Sequence, residues 1–313
     1  MTIAPPLHAD LASPEPAVEA VPVVHGADLP VEQFRSGFVA ARRPLVFADA
    51  AAAWPIYGRG TPDYFRRVYG DHRVRLLGSE CRLGELLDRL EESTTQAPGP
   101  YPCKFEIAKD FRELLPDVSP RFDYSLPDRQ GSALMRGAWF SGVNNLEIFF
   151  GGPGGRFPYL HYDVMHLHAW ITQLHGDKEF TLYAPDQARF LYVDADLPWQ
   201  SSIRNHHDPD FARYPLLRNA RATTVVLRAG QTLFLPCGWW HTARSLNTTI
   251  SVAFDQLAPD NWHDFRCDVV AECRREGRPA SALLNGAWLR AVGPLLALSE
   301  LFGGNRRKQW GRR

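Results

Sequence analysis

Gln231-Thr-Leu-Phe-Leu-Pro236, then Cys237-Gly-Trp-Trp-His241, then Thr248-Thr-Ile-Ser-Val-Ala-Phe254 is the stretch whose reading decides the fold. The first run is apolar and stops at a proline, which cannot donate to a sheet ladder, so it reads as a strand ending at Pro236. Cys237 to Trp240 reads as a turn and the last run as a second strand, so a hairpin carrying His241 is expected. Working outward, short β-runs separated by glycine and proline turns fill the chain from Trp139 onward. That density of strands predicts a mainly β, barrel-like double sheet, a double-stranded β-helix of the jelly-roll type.

Upstream lies His161-Tyr162-Asp163. Side chains at i and i+2 of a strand share a face, so His161 and Asp163 are expected to point inward while Tyr162 points away. With His241 they make two imidazoles and one carboxylate, a donor set that binds Fe(II) on one face and leaves the opposite positions open. A lone inward histidine is more often a hydrogen-bonded core residue, and the surrounding residues decide the matter.

Leu160-His-Tyr-Asp163, Gln173-Leu-His-Gly-Asp-Lys-Glu-Phe-Thr-Leu-Tyr-Ala-Pro185, Leu191-Tyr192, Asp208 to Pro215, Val225 to Gly230, Leu233 to Pro236, Trp239-Trp-His241 and Ser251-Val-Ala-Phe254 follow one another in a familiar order. With Arg43-Pro-Leu-Val-Phe47 and Trp54-Pro55 upstream, the chain resembles the JmjC and cupin-like 2-oxoglutarate oxygenases, above all the branch of the factor-inhibiting-HIF type. The resemblance implies that His161, Asp163 and His241 bind Fe(II). It implies further that Lys178 pairs with the distal carboxylate of the cosubstrate 2-oxoglutarate, a role suited to a cation in a dry pocket. Consumption of O2 and release of succinate and CO2, with hydroxylation of a C–H bond in a protein or peptide side chain or a small metabolite, follow from the same likeness. Departures are present. Ala169 and Ala253 stand where that branch carries asparagines, and Pro158 where it carries a hydroxyl. Lys178 is therefore expected to work with Ser251, or with a tyrosine or lysine between Tyr101 and Phe105.

The run from Asp163 to Gln173 is longer than in that branch and contains His166 and His168, with His175 nearby. No carboxylate at ligand spacing accompanies them, so they are expected to orient neighbours or contact substrate. His206 and His207 fall in a polar loop and are expected to be exposed. Phe149, Phe150, Phe157, Tyr159, Trp239 and Trp240 are candidates for the mouth of the pocket. Two readings of another class stand beside the oxygenase: a metal-dependent cupin that does not use 2-oxoglutarate, in which Lys178 is dispensable, and a non-catalytic JmjC-like binding protein, in which a ligand is commonly lost.

Composition agrees with one large core. The chain has 313 residues, 45% of them hydrophobic, and a formal net charge of zero. No global field draws it to nucleic acid or an anionic membrane. Five scattered cysteines, Cys81, Cys103, Cys237, Cys267 and Cys273, without a Cys-x-x-Cys pair, suggest reduced thiols and a cytoplasmic location. Residues 1–21 read as an Ala- and Pro-rich flexible arm without a targeting signal, 22–258 as the catalytic domain with amino-terminal helices, and 259–313 as a helical annex with a basic tail. No apolar run reaches membrane-spanning length. The annex helices, Asn261 to Glu276 and Ala280 to Leu301, are expected either to cap the barrel or to form a homodimer.

Overall fold

The computed structural model describes residues 20–76, 78–140, 145–303 and 310. Most of the expected arm, and the basic tail apart from Trp310, lie outside the described residues. In chain order the elements are β1 (Val23–Val24), α1 (Val31–Phe34), β2 (Leu45–Phe47), α2 (Pro62–Tyr69), β3 (Arg73–Leu76), β4 (Ser79–Arg82), α3 (Leu83–Glu91), β5 (Cys103–Glu106), α4 (Ile107–Asp110), β6 (Glu147–Gly151), β7 (His168–His175), β8 (Lys178–Tyr183), β9 (Thr223–Leu227), β10 (Thr232–Leu235), β11 (Trp240–Ser245), β12 (Thr249–Gln256), α5 (Trp262–Arg275) and α6 (Pro279–Leu301).

Two sheets face each other. The larger has seven strands in the order β1-β2-β10-β7-β12-β6-β5, and the smaller has β11-β8-β9. Alternation of side chains explains why both faces of the larger sheet are apolar. On β10, Leu233 and Leu235 enter the space between the sheets, while Phe234 joins the outer cluster with Trp170 of β7 and Phe254 of β12. The outer cluster also takes up Phe34, Phe65, Leu86 and Leu87 from the amino-terminal helices, which cover that face. A sheet covered on both sides reads as continuous apolar sequence, as the Thr232–Leu235 run does.

The expected hairpin is not formed. β10 pairs with β2 and β7, β11 pairs with β8, and β12 pairs with β6 and β7, so the strands flanking Cys237 belong to different sheets. Gly238, at φ +79°, makes the left-handed turn that carries the chain across. This crossing is what a jelly roll requires, and it sets His241 on the small sheet facing the large one.

Among the amino-terminal helices α2 starts at a side-chain cap. Thr61 accepts a hydrogen bond from the Tyr64 N–H at 3.2 Å, with Pro62 at the first helical position of α2. At the other end α5 and α6 pack against each other over Trp262, Phe265, Val269, Leu289, Val292 and Leu296, with Trp139, Phe140 and Leu167 beneath them. Among the described residues α6 is the one helix long and apolar enough to cross a membrane by length and composition, and a third of its most apolar window is buried.

Candidate metal centre and cavity

His161 and His241 are joined through their backbones. The His161 N–H donates to the His241 carbonyl at 3.1 Å and the His241 N–H returns the bond at 2.6 Å. His241 is held further by the β11 ladder, opposite Leu182 of β8. The expectation that His161 and Asp163 lie together in a regular strand needs correction: His161 makes isolated bridges, and Asp163 has extended backbone (φ −65°, ψ 130°) outside any ladder. The extended conformation still turns both side chains the same way, because the two-residue alternation depends on the dihedral angles and not on a partner strand.

One ligand atom from each of His161, Asp163 and His241 lies within 4.8 Å of the others, close enough for one ion to touch all three. The His241 Nδ1–H faces the Trp239 carbonyl at 3.2 Å, which leaves the Nε2 lone pair toward Asp163 Oδ2, 3.9 Å away. Burial, together with the nearby His241, holds the His161 imidazole well below its ordinary range, in the neutral form that binds metals. Burial also pushes the Asp163 carboxyl up. A bound cation would reverse that second effect. The donor set and its burial therefore fit a divalent metal.

The triad opens on a cavity of about 830 Å³. At the inner end is Lys178, the first residue of β8, only 2% exposed, with Nζ donating to Ser251 Oγ at 2.5 Å and lying 5.7 Å from the ring centres of Tyr101 and Phe149. Burial lowers its pKa to about 7. No carboxylate pairs with it among the described residues. A buried ammonium with a hydroxyl and aromatic faces around it is incomplete until an anion arrives, so this end of the cavity fits the distal carboxylate of 2-oxoglutarate. Of the residues weighed between Tyr101 and Phe105, Tyr101 joins Lys178, whereas the charge of Lys104 is felt by His161 and Asp163 and its ammonium pairs with Glu147 at 3.1 Å. Ala169 and Ala253 line the cavity, so the wall between Lys178 and the triad is apolar.

Of the expected mouth aromatics, Phe149, Phe157 and Tyr159 line the cavity; Phe150, Trp239 and Trp240 do not. Phe157 lies flat on the His161 ring at 4.6 Å. Trp139, Tyr162 and Trp199 also line it, as do Asp268, Glu272 and Arg275 of α5 and Leu284 and Asn285 of α6. Sequence reading missed the contribution of both helices. The spacing of 268, 272 and 275 shows a polar helical face but not what that face looks onto.

The extra histidines do have carboxylate partners, contrary to expectation. His166 Nδ1 is 2.6 Å from Asp268 Oδ2, and His168 Nε2 is 2.8 Å from Asp260 Oδ2. Both acids come from the start of the annex, so nothing near the histidines in sequence announces them. The Cys237 N–H donates to His168 Nδ1 at 2.9 Å, so buried His168 pins the turn that leads to His241. His206 and His207 are half-buried rather than exposed, and burial lowers His206 to about 4. His175, half-buried at the end of β7, is not drawn into the cavity.

Comparison with known proteins adds the family. Residues 30–255 match the model of a cupin-like domain. The chain is 26% identical to lysine-specific demethylase 8 of Danio rerio over 75% of its own length and 57% of that protein's. It is 26% identical to human tRNA wybutosine-synthesizing protein 5 over 74% of its length and 77% of that protein's. Thus the chain spans little more than half the length of the demethylase it matches.

Proposed function

Because the chain belongs to the cupin-like domain family, which includes JmjC oxygenases, we propose that it is an Fe(II)- and 2-oxoglutarate-dependent dioxygenase that hydroxylates a C–H bond of a protein or peptide side chain or of a small metabolite. The observation that carries this reading is one cavity holding both the gathered triad and a buried Lys178 that no carboxylate pairs with among the described residues. When bound, Fe(II) and 2-oxoglutarate would supply the electrons that reduce O2, one oxygen atom going into succinate as the 2-oxo acid is oxidised with loss of CO2 and the other into the substrate C–H bond. The chain's own residues do the rest. His161, Asp163 and His241 are the metal ligands, and Lys178 with Ser251 orients the cosubstrate by its far carboxylate. Phe149, Ile171, Phe180 and Ala253 keep water from the space between the two ends. Phe157 and Tyr159 on one side and α5 on the other bound the path by which a substrate reaches the metal.

The test is succinate release by protein loaded anaerobically with Fe(II) and 2-oxoglutarate and then exposed to O2, with candidate peptides and metabolites screened for a gain of one oxygen. Lys178→Ala is expected to weaken 2-oxoglutarate binding. Unchanged affinity would favour the cupin that uses metal alone.

A homodimer is proposed through α6. Leu284, Trp288, Ala291, Leu295, Leu298 and Phe302 are all exposed and follow one another at intervals of four and three residues, the spacing of a helix–helix seam. Light scattering on wild type and on Leu295→Glu/Leu298→Glu tests it; a monomeric wild type ends the proposal.

A further inference from the structure

Asp163 is the ligand whose backbone joins neither a strand ladder nor a bridge, so something else must aim its carboxylate. Immediately after it the chain passes through Met165 (φ 60°, ψ 23°) and His166 (φ 47°), both left-handed, before β7 begins at His168. Neighbouring non-glycine residues do not adopt that region by preference, and surrounding contacts have to keep them there. Those contacts converge on His166. Its Nδ1 lies 2.6 Å from Asp268 Oδ2 on α5, and its carbonyl accepts from Asn261 Nδ2 at 3.0 Å, just ahead of the same helix. Its ring rests on Tyr162, with centroids 4.6 Å apart, on the far side of Asp163 in the chain. Tyr162 in turn meets Trp240 edge-on at 5.0 Å, and Trp240 precedes His241.

We infer that His166 and Asp268 are a positioning pair through which α5 fixes the bearing of the Asp163 carboxylate. The inference rests on the reading of His161, Asp163 and His241 as metal ligands. A carboxylate on a turn has two rotatable side-chain bonds and a movable backbone, and clamping the turn from outside removes the second freedom. The clamp also makes the annex part of the metal centre, because Asp268 lines the cavity that a substrate enters.

The experiment is a Co(II) titration without O2 or 2-oxoglutarate, followed by the visible ligand-field absorption of the bound ion, so that turnover plays no part. His166→Ala and Asp268→Ala are each expected to weaken Co(II) binding by about 10- to 100-fold, the range found for residues that orient metal ligands. The double variant should lose no more than the larger single loss, and Asp268→Asn, which can still accept a hydrogen bond, should recover most of the affinity. Wild-type affinity in both single variants, or fully additive losses in the double, overturns the pair while leaving the metal centre standing if His161→Ala abolishes the cobalt absorption. A His161→Ala protein that binds cobalt like wild type overturns the centre and the pair together. Met165→Gly guards against variants that fold poorly: with the pair intact it should bind Co(II) as wild type does, and a tenfold loss would mean that the methionine, not the pair, holds the turn.

Discussion

His241 and Asp163 approach the same point from two kinds of backbone. His241 sits on a strand laddered to β8, tied by a second pair of hydrogen bonds to His161, and entered through a turn that His168 pins. Asp163 sits on extended chain that runs into two left-handed residues and is restrained by a helix from the other end of the sequence. A ladder fixes a side chain through many small, cooperative backbone bonds. A clamped turn fixes it through a few side-chain contacts, each of which matters more. The histidine side of the centre should therefore be rigid, and the carboxylate side should be the place where the rest of the protein can act on the metal.

The largest expected effect tests the two sides as equals: Asp163→Ala and His241→Ala should each abolish metal-dependent succinate release, measured by mass spectrometry, and residual turnover in either would remove that residue from the ligand set. Next comes the inner end of the cavity. Lys178→Ala should weaken 2-oxoglutarate binding by about 10- to 100-fold, as expected for a lost charged hydrogen-bond partner in a buried site. Since burial lowers the Lys178 pKa to about 7 from its ordinary 10.5, the free protein binds fewer protons than the unfolded chain between those values. Its stability without ligands should rise with pH across that window. Affinity for the dianion should instead fall above about pH 7, approaching tenfold per unit, because the ammonium form is the one that binds. Calorimetry at pH 6.5 and 8.5 checks the direction, and a flat profile would contradict it.

Smaller effects separate the two backbones. Gly238→Ala places a side chain at φ +79° in the turn between the sheets and should cost about 1–2 kcal/mol in urea unfolding. Met165→Gly relieves a left-handed non-glycine residue but also removes a half-buried side chain packed against the cluster under α5 and α6, so its net change should stay within about 1 kcal/mol of zero. If both substitutions destabilise equally, the two sides are not held differently.

Much of this was legible in the residues. The apolar Thr232–Leu235 run and the paired carboxy-terminal helices lie within a residue or two of where their patterns put them. The residues His161, Asp163, His241 and Lys178 were also readable through the likeness to a family, whereas Ser251 was one of several expected helpers of Lys178 and only the fold brings the two side chains together. Misreadings have a common form. The residues around Cys237 read as a hairpin because turn chemistry does not say which sheet the next strand will join. His166 and His168 looked unaccompanied because Asp268 and Asp260 stand 102 and 92 residues away.

What the sequence determined by itself is local: alternation that makes strands, caps that start helices, and the kinds of atom offered to a metal and to an anion. Which strands share a sheet, which helix walls the cavity and what clamps the turn after Asp163 were decided only by the tertiary structure. The reason is that alternation and helical period specify which face of an element is buried, and several packings bury that face equally well until distant parts of the chain meet.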